Sequence, residues 1–132
     1  YVGVAEEAAE RAVAAAKKRP DSATPVLLGE LENLLTSARL AVDDMVALNA
    51  ELEFEPTNDR ANAILVRKTL VSNAVIATCA KALEAAGGSA YMRASGIERL
   101  LRDSYAAQFH PLPERKQQEF TGRMALGLDP VA

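Results

Sequence analysis

From residue 28 to residue 52, side chains recur at alternating intervals of three and four: Leu28, Leu31, Leu35, Ala38, Val42, Met45, Asn49 and Leu52. All but Asn49 are apolar. That period marks one face of an α-helix. Leu27, Leu34, Ala41 and Leu48 form a second stripe beside it. A buried face that wide packs against more than one neighbour. The helix cannot stand alone, and the rest of the chain supplies what it needs. Alanine fills 26 of 132 positions, Trp is absent and Phe and Tyr number three each. So few aromatic residues and so few β-branched runs exclude an all-β fold. The alanines point to helices that approach one another closely.

Four further segments are predicted to be helical. Residues 2–18 are almost wholly Ala, Glu, Arg and Lys, with Glu6, Glu7 and Glu10 ahead of Arg11, Lys17, Lys18 and Arg19, the order the helix dipole favours. Pro20 stops this segment, and residues 20–25 read as a linker into a helix over 26–53. A third helix spans 59–86. From Ile64 its charges are only Arg67, Lys68, Lys81 and Glu84, the pattern of a central, mostly buried helix, and Gly87–Gly88 ends it. Residues 94–108 place Ile97, Leu100, Leu101 and Tyr105 at helical spacing. A last helix, 114–127, puts Phe120, Met124 and Leu128 on one face. Short connections favour antiparallel neighbours, so the expectation is all-α: an antiparallel up-and-down four-helix bundle with an extra C-terminal helix, residues 1–132 forming one domain. Tyr1 in place of Met suggests a piece of a longer protein.

Composition narrows the function. The net charge is −3 with no basic stripe, so nucleic acid is not an expected partner. No apolar run approaches the roughly 20 residues of a membrane span. A single cysteine makes no internal disulfide, which fits a reducing, cytoplasmic setting. Cys79 lies mid-helix with no histidine beside it in sequence and reads as core. A carboxylate-bridged metal site needs Glu-x-x-His pairs. The residue three before the lone histidine is Ala107, so no metal site is expected. Glu98 and Arg102 stand one turn apart, a favourable surface pair, and Asp103 stands one turn after Arg99.

Two places can carry chemistry. His110, between Phe109 and Pro111, follows a helix at a chain break. A lone histidine is more often structural, but an imidazole in a loop suits proton transfer near neutrality. Gly87–Gly88 is a helix stop on any reading, and glycines also let backbone amides approach a phosphate. It is not a dinucleotide fingerprint, since no strand precedes it.

The run Ala82-Leu83-Glu84-Ala85-Ala86-Gly87-Gly88-Ser89-Ala90-Tyr91, followed by Ile97-Glu98-Arg99-Leu100-Leu101-Arg102-Asp103, resembles the C-terminal helical domain of the acyl-CoA dehydrogenase superfamily. The opening Val2-Gly3-Val4-Ala5 and its alanine-rich helix also look like the start of that domain, so the resemblance covers essentially the whole chain. It implies FAD lying between this bundle and a β-domain outside it, with the glycine-pair segment often touching a neighbouring subunit's cofactor. It also implies a homo-oligomer, dimer or tetramer, and an acyl-CoA or other small organic substrate for the whole enzyme. Glu84, Gly87 and Gly88 are the cofactor-binding candidates it implies, and these 132 residues alone are expected to retain no FAD. A Gln is usual at the position of Glu84, and a carboxylate is a poor neighbour for pyrophosphate.

The catalytic position departs further. Where many such dehydrogenases carry Tyr-Glu-Gly after Arg-Asp, this chain has His110 and Pro111, and proline takes no proton. Glu6, Glu7 and Glu10 lie on the opening helix, where some members place the base. A histidine at this position resembles relatives that combine reduced flavin with oxygen. The first expectation is therefore a domain of an FAD-dependent oxidoreductase that dehydrogenates acyl thioesters, contributing to flavin binding and oligomerisation. The alternatives are a flavin monooxygenase of the same fold with His110 as the catalytic candidate, and a stand-alone helical dimerisation module without chemistry.

Overall fold

The computed structural model describes residues 1–49 and 55–131. Five α-helices follow in order: α1, Val2–Ala16; α2, Thr24–Leu48; α3, Asn58–Ala86; α4, Ile97–Ser104; and α5, Glu114–Ala125. Short 3-10 turns cover Gly88–Tyr91, Arg93–Ser95 and Tyr105–Phe109. Among the described residues there is no strand, and the all-α expectation holds. The long α3 is the hub: it packs most extensively on α2, then on α1, α4 and α5. Ion pairs set the sense of packing. Arg67 meets Asp44 at one end of the α2–α3 contact and Lys81 meets Glu30 (2.7 Å) at the other, so the two helices run antiparallel. Arg39 and Glu6 (2.9 Å) join α2 to α1.

The three-four seam of α2 faces inward as expected, with Leu31, Leu35 and Ala38 buried and Leu28, Val42 and Met45 partly buried. The helix ends earlier than the period suggests. Asn49, the one polar member, is its C-cap, and its side-chain amide donates to Met45 O (2.9 Å). Leu52 and the predicted end at residue 53 lie outside the described residues. On α1 the buried residues are Ala5, Ala8, Ala9, Ala12 and Ala16, an all-alanine face that lets the backbone come close to α3.

Two expectations about α3 are corrected. It is central, but one side stays open: Leu70 is 56% exposed. By length and composition alone it is also long and apolar enough to cross a membrane. The sequence reading missed this because arginine and lysine interrupt the apolar run. Four helices pack on it, as on the core helix of a bundle. Ser72 and Thr78 bond back into the helix, Ser72 Oγ donating to Lys68 O (2.9 Å) and Thr78 Oγ1 to Ala74 O (2.7 Å), while Asn73 Nδ2 donates across to Glu114 Oε1 of α5 (3.4 Å). Among the described residues the buried hydroxyl of Thr69 has no partner. An unpaired buried hydroxyl costs stability. Thr69→Val, which keeps the shape, is therefore expected to raise unfolding stability by about 1 kcal/mol. A lowered denaturant midpoint would show that the hydroxyl is satisfied.

The predicted helix 94–108 is shorter. Gly96, with φ +72°, turns the chain into α4 at Ile97, and the last residues tighten into the 3-10 turn Tyr105–Phe109. Beside Gly96, Arg11 Nη1 donates to Ser95 O (3.1 Å), and a Cβ on Gly96 would run into that guanidinium. Gly96→Ala is expected to cost about 1–2 kcal/mol, because left-handed backbone is unfavourable for an L-residue. Thermal unfolding checks this, and an unchanged midpoint would mean the junction relaxes freely. The Glu98–Arg102 pair does not form among the described residues: Arg102 Nε meets its neighbour Asp103 instead (3.4 Å). Helix α5 ends at Ala125, with Leu128 N donating to Arg123 O (2.9 Å) and Gly127 N to Met124 O (3.0 Å) around Gly127 at φ +68°. Phe120 is buried and Met124 half-buried, but Leu128 lies beyond the helix and is exposed. Thr121 Oγ1 to Asn62 Oδ1 (2.6 Å) fastens α5 to α3.

Candidate functional site

Two clefts along α3 hold the residues singled out from the sequence. The first lies at the C-terminal end. It measures about 530 Å³, and Lys18, Arg19, Thr24, Glu84, Gly87 and Gly88 are among the residues that line it. Glu84, Gly87 and Gly88 therefore do share one surface. Gly87 has φ +79°, and a Cβ built on either glycine would meet nothing within 4 Å, so the backbone lies open to a ligand. Glu84 does not present a bare carboxylate. Lys81 Nζ lies 2.6 Å from it and 2.7 Å from Glu30. Glu30 first, then Glu84, holds the Lys81 ammonium above its ordinary pKa range. Lys81 is shared with Glu30, so it offsets the Glu84 carboxylate only in part, while Lys18 and Arg19 bring positive charge to the same cleft.

Asp21 shapes the same cleft. Its Oδ1 accepts from the Thr24 hydroxyl and from the amides of Thr24 and Ala23, all at 2.9 Å, and its own amide donates to Thr24 Oγ1 (2.9 Å). Together with Pro25 in the first turn, this starts α2 two residues before the predicted position. The Thr24 hydroxyl, then the Thr24 and Ala23 amides, lower the Asp21 pKa. A depressed folded-state pKa adds stability above the unfolded value of about 4, lost as pH falls through the folded value. Asp21→Asn is thus expected to lower stability at pH 7 and to lose part of the acid-side dependence. The two proteins should converge as pH falls through the folded-state value. A constant difference from pH 7 to pH 2 would overturn this.

The second cleft lies toward the N-terminal half of α3 and measures about 540 Å³. Val42, Met45, Val71 and Ala107 give it apolar walls, and Tyr1, Lys68, Ser72 and His110 bring polar atoms. His110 is the C-cap of the 3-10 turn after α4, where the chain turns extended. Its ring meets Tyr1 edge-on, with centroids 5.3 Å apart and planes at 75°. Lys68 Nζ donates to the carbonyls of His110 and Leu112, both at 3.0 Å. His110 thus sits in a different cleft from Glu84, Gly87 and Gly88. The carboxylates of the opening helix are not in its lining, and two are engaged elsewhere: Glu6 with Arg39, and Glu7 with Arg11 at 2.6 Å. Among the described residues no cluster of His, Cys, Asp or Glu could hold a metal. Burial raises the pKa of the Cys79 thiol, as suits a core residue.

Sequence reasoning missed Lys68 and Tyr1. Lys68 carries a faint signal, one of the few charges in a mostly apolar stretch of α3. Tyr1 carries none, because only the fold brings residue 1 beside residue 110.

The fold and its clefts define a helical bundle packed around one long helix, with an open glycine pair at the C-terminal end of that helix and a histidine-bearing cleft near its middle. Residues 1–114 match the family described as acyl-CoA dehydrogenase, C-terminal domain. The chain belongs to that family. It is 26% identical over 129 residues to cyclohex-1-ene-1-carbonyl-CoA dehydrogenase of Geobacter metallireducens, covering 95% of this chain and 34% of that protein. The solved structure of KijD3 in complex with FMN and dTDP-3-amino-2,3,6-trideoxy-4-keto-3-methyl-D-glucose is similar at a TM-score of 0.86 and 28% identity, over 98% of this chain and 34% of that one. The nitrososynthase from Micromonospora carbonacea var. africana shares the fold at a TM-score of 0.84 and 24% identity, over 97% of this chain and 38% of that one. The chain thus spans about a third of the length of these relatives.

Proposed function

We propose that this chain is the C-terminal helical domain of a longer flavin-dependent oxidoreductase, and that His110 serves oxygen-dependent monooxygenation there. The lining of the His110 cleft carries this reading. It offers an imidazole with Lys68 and Ser72 and, among the described residues, neither Asp nor Glu. Dehydrogenation of an acyl thioester calls for a base at the α-carbon, and the residue after His110 is Pro111. An imidazole can give or take a proton near neutral pH, the service an oxygen-transfer reaction needs. A flavin, when bound, supplies the electron-carrying chemistry. The open backbone of Gly87 and Gly88, with the Lys18 and Arg19 cations in the same cleft, would hold its phosphates. The resemblance to acyl-CoA dehydrogenases makes FAD the expected flavin. The likeness to KijD3, solved with FMN and a nucleotide sugar, supports a non-thioester substrate. The exposed Leu40, Val46 and Leu70 support self-association into a dimer or tetramer.

A second reading is α,β-dehydrogenation of an acyl-CoA, favoured by the match to cyclohex-1-ene-1-carbonyl-CoA dehydrogenase. The full-length protein separates the two. Oxygen consumption dependent on a separate flavin reductase is expected, and acyl-CoA added without oxygen should leave the bound flavin yellow. Anaerobic bleaching by acyl-CoA would overturn the monooxygenase reading and favour the second.

A further inference from the structure

The loop that carries His110 is short of anchors of its own. Pro111 and Pro113 have no N–H to donate, and His110 caps a 3-10 turn with extended backbone. What reaches the loop comes from α3, 42 and 44 residues away in sequence. The ammonium of Lys68 donates to the carbonyl of His110 and to that of Leu112, both at 3.0 Å, one on each side of Pro111. The lysine is half-buried and lines the same cleft as the imidazole. One turn further along α3, the hydroxyl of Ser72 is 3.5 Å from the carbonyl of Ala107, at the other side of the histidine. An ammonium has three donors and no acceptor, so it can bridge two carbonyls that the loop leaves unpaired. Charge-assisted bonds of this kind are the stronger ones.

We propose that Lys68 is a positioning residue: by fastening the carbonyls on either side of Pro111 to α3, it holds the His110 imidazole in the cleft against Tyr1. The clamp itself stands on the geometry. Its consequence for turnover rests on the reading of His110 given above, and the two are tested separately.

The first test needs no flavin. His110 is the single histidine of the 132 residues, so its ring Cε1–H gives one assignable nuclear magnetic resonance signal. In the unaltered chain that signal should be sharp and show through-space contact with the Tyr1 ring. In Lys68→Met the contact should vanish and the signal broaden, while circular dichroism still reports a folded bundle. Lys68→Arg, whose guanidinium can also donate to two carbonyls, should restore both. If Lys68→Met fails to fold, Lys68→Gln serves, since its amide keeps a donor without the charge and should lose the Tyr1 contact in part. An undiminished Tyr1 contact in the folded Met or Gln variant would overturn the clamp.

The second test uses the full-length protein. Lys68→Met is expected to lower oxygen-dependent kcat roughly 10–100-fold, the order of loss that misplacing a reacting group brings, with KM within about twofold. Lys68→Arg should recover most of it. In the Lys68→Met/His110→Ala double variant the loss should equal that of His110→Ala alone, because residues acting through one another are not additive. Multiplied losses would show that Lys68 acts by another route. If His110→Ala alone changes nothing, the functional reading fails and the clamp stands or falls on the spectroscopic result.

Discussion

His110→Ala in the full-length protein is expected to lower oxygen-dependent turnover about 10²–10⁴-fold, the range a general acid or base contributes. The bundle should fold normally, since the imidazole is exposed and its one aromatic contact is an edge-on meeting with Tyr1. The loss should fall on kcat more than on KM, because a proton donor acts in the transition state and adds little to ground-state binding. His110→Gln, which keeps a donor but does not titrate, should recover little. Binding of the flavin should stay within a few-fold, since Gly87 and Gly88 lie in the other cleft. Stopped-flow measurement of the oxidative half-reaction checks this. Unchanged oxidative rates in His110→Ala would remove the residue from the chemistry, and a lost flavin would make it a binding residue.

Ala12→Leu is expected to destabilise the bundle by about 2–3 kcal/mol, the range for overpacking a filled core. Ala12 is fully buried, and its face of α1 is alanine throughout, from Ala5 to Ala16. The residues that α1 buries fully are all alanine, which lets its backbone come close to α3. A leucine there must push α1 away from α3 or leave its preferred rotamer. For a domain of this size the melting temperature should fall by roughly 10 °C. The control lies two residues on. Ala14 is exposed, and Ala14→Leu should change stability by less than about 0.5 kcal/mol. Equal melting temperatures for the two variants would show that α1 is loosely held.

Much of the architecture was readable before any coordinates because helical periodicity is local. The seam of α2 follows from spacing alone, since a helix brings every third and fourth residue to one side. Boundaries fared less well, for reasons that were also local but unread. Asn49 closes α2 with its own side chain, Asp21 and Thr24 open it early, and Gly96 delays α4. Glu84, Gly87 and Gly88 were placed together because they are neighbours on one helix end. The pairing of Lys81 with Glu84 went unread, and Glu30's share in that cation was out of reach because it comes from another helix. The surroundings of His110 were out of reach altogether: Tyr1, Lys68 and Ser72 are far from it in sequence.

By itself, the order of residues determined that this chain folds as packed helices, which faces those helices bury, and the motif run that marks its family. All of that is encoded within a few turns of chain, where propensity and spacing act directly. The tertiary structure alone decided that the glycine pair and the histidine occupy separate clefts, that a lysine of the central helix bonds the carbonyls of the histidine loop, and that Glu30 of another helix shares the Lys81 cation with Glu84. Those facts depend on which helix packs on which and at what register, and such contacts arise only when distant apolar faces are buried together.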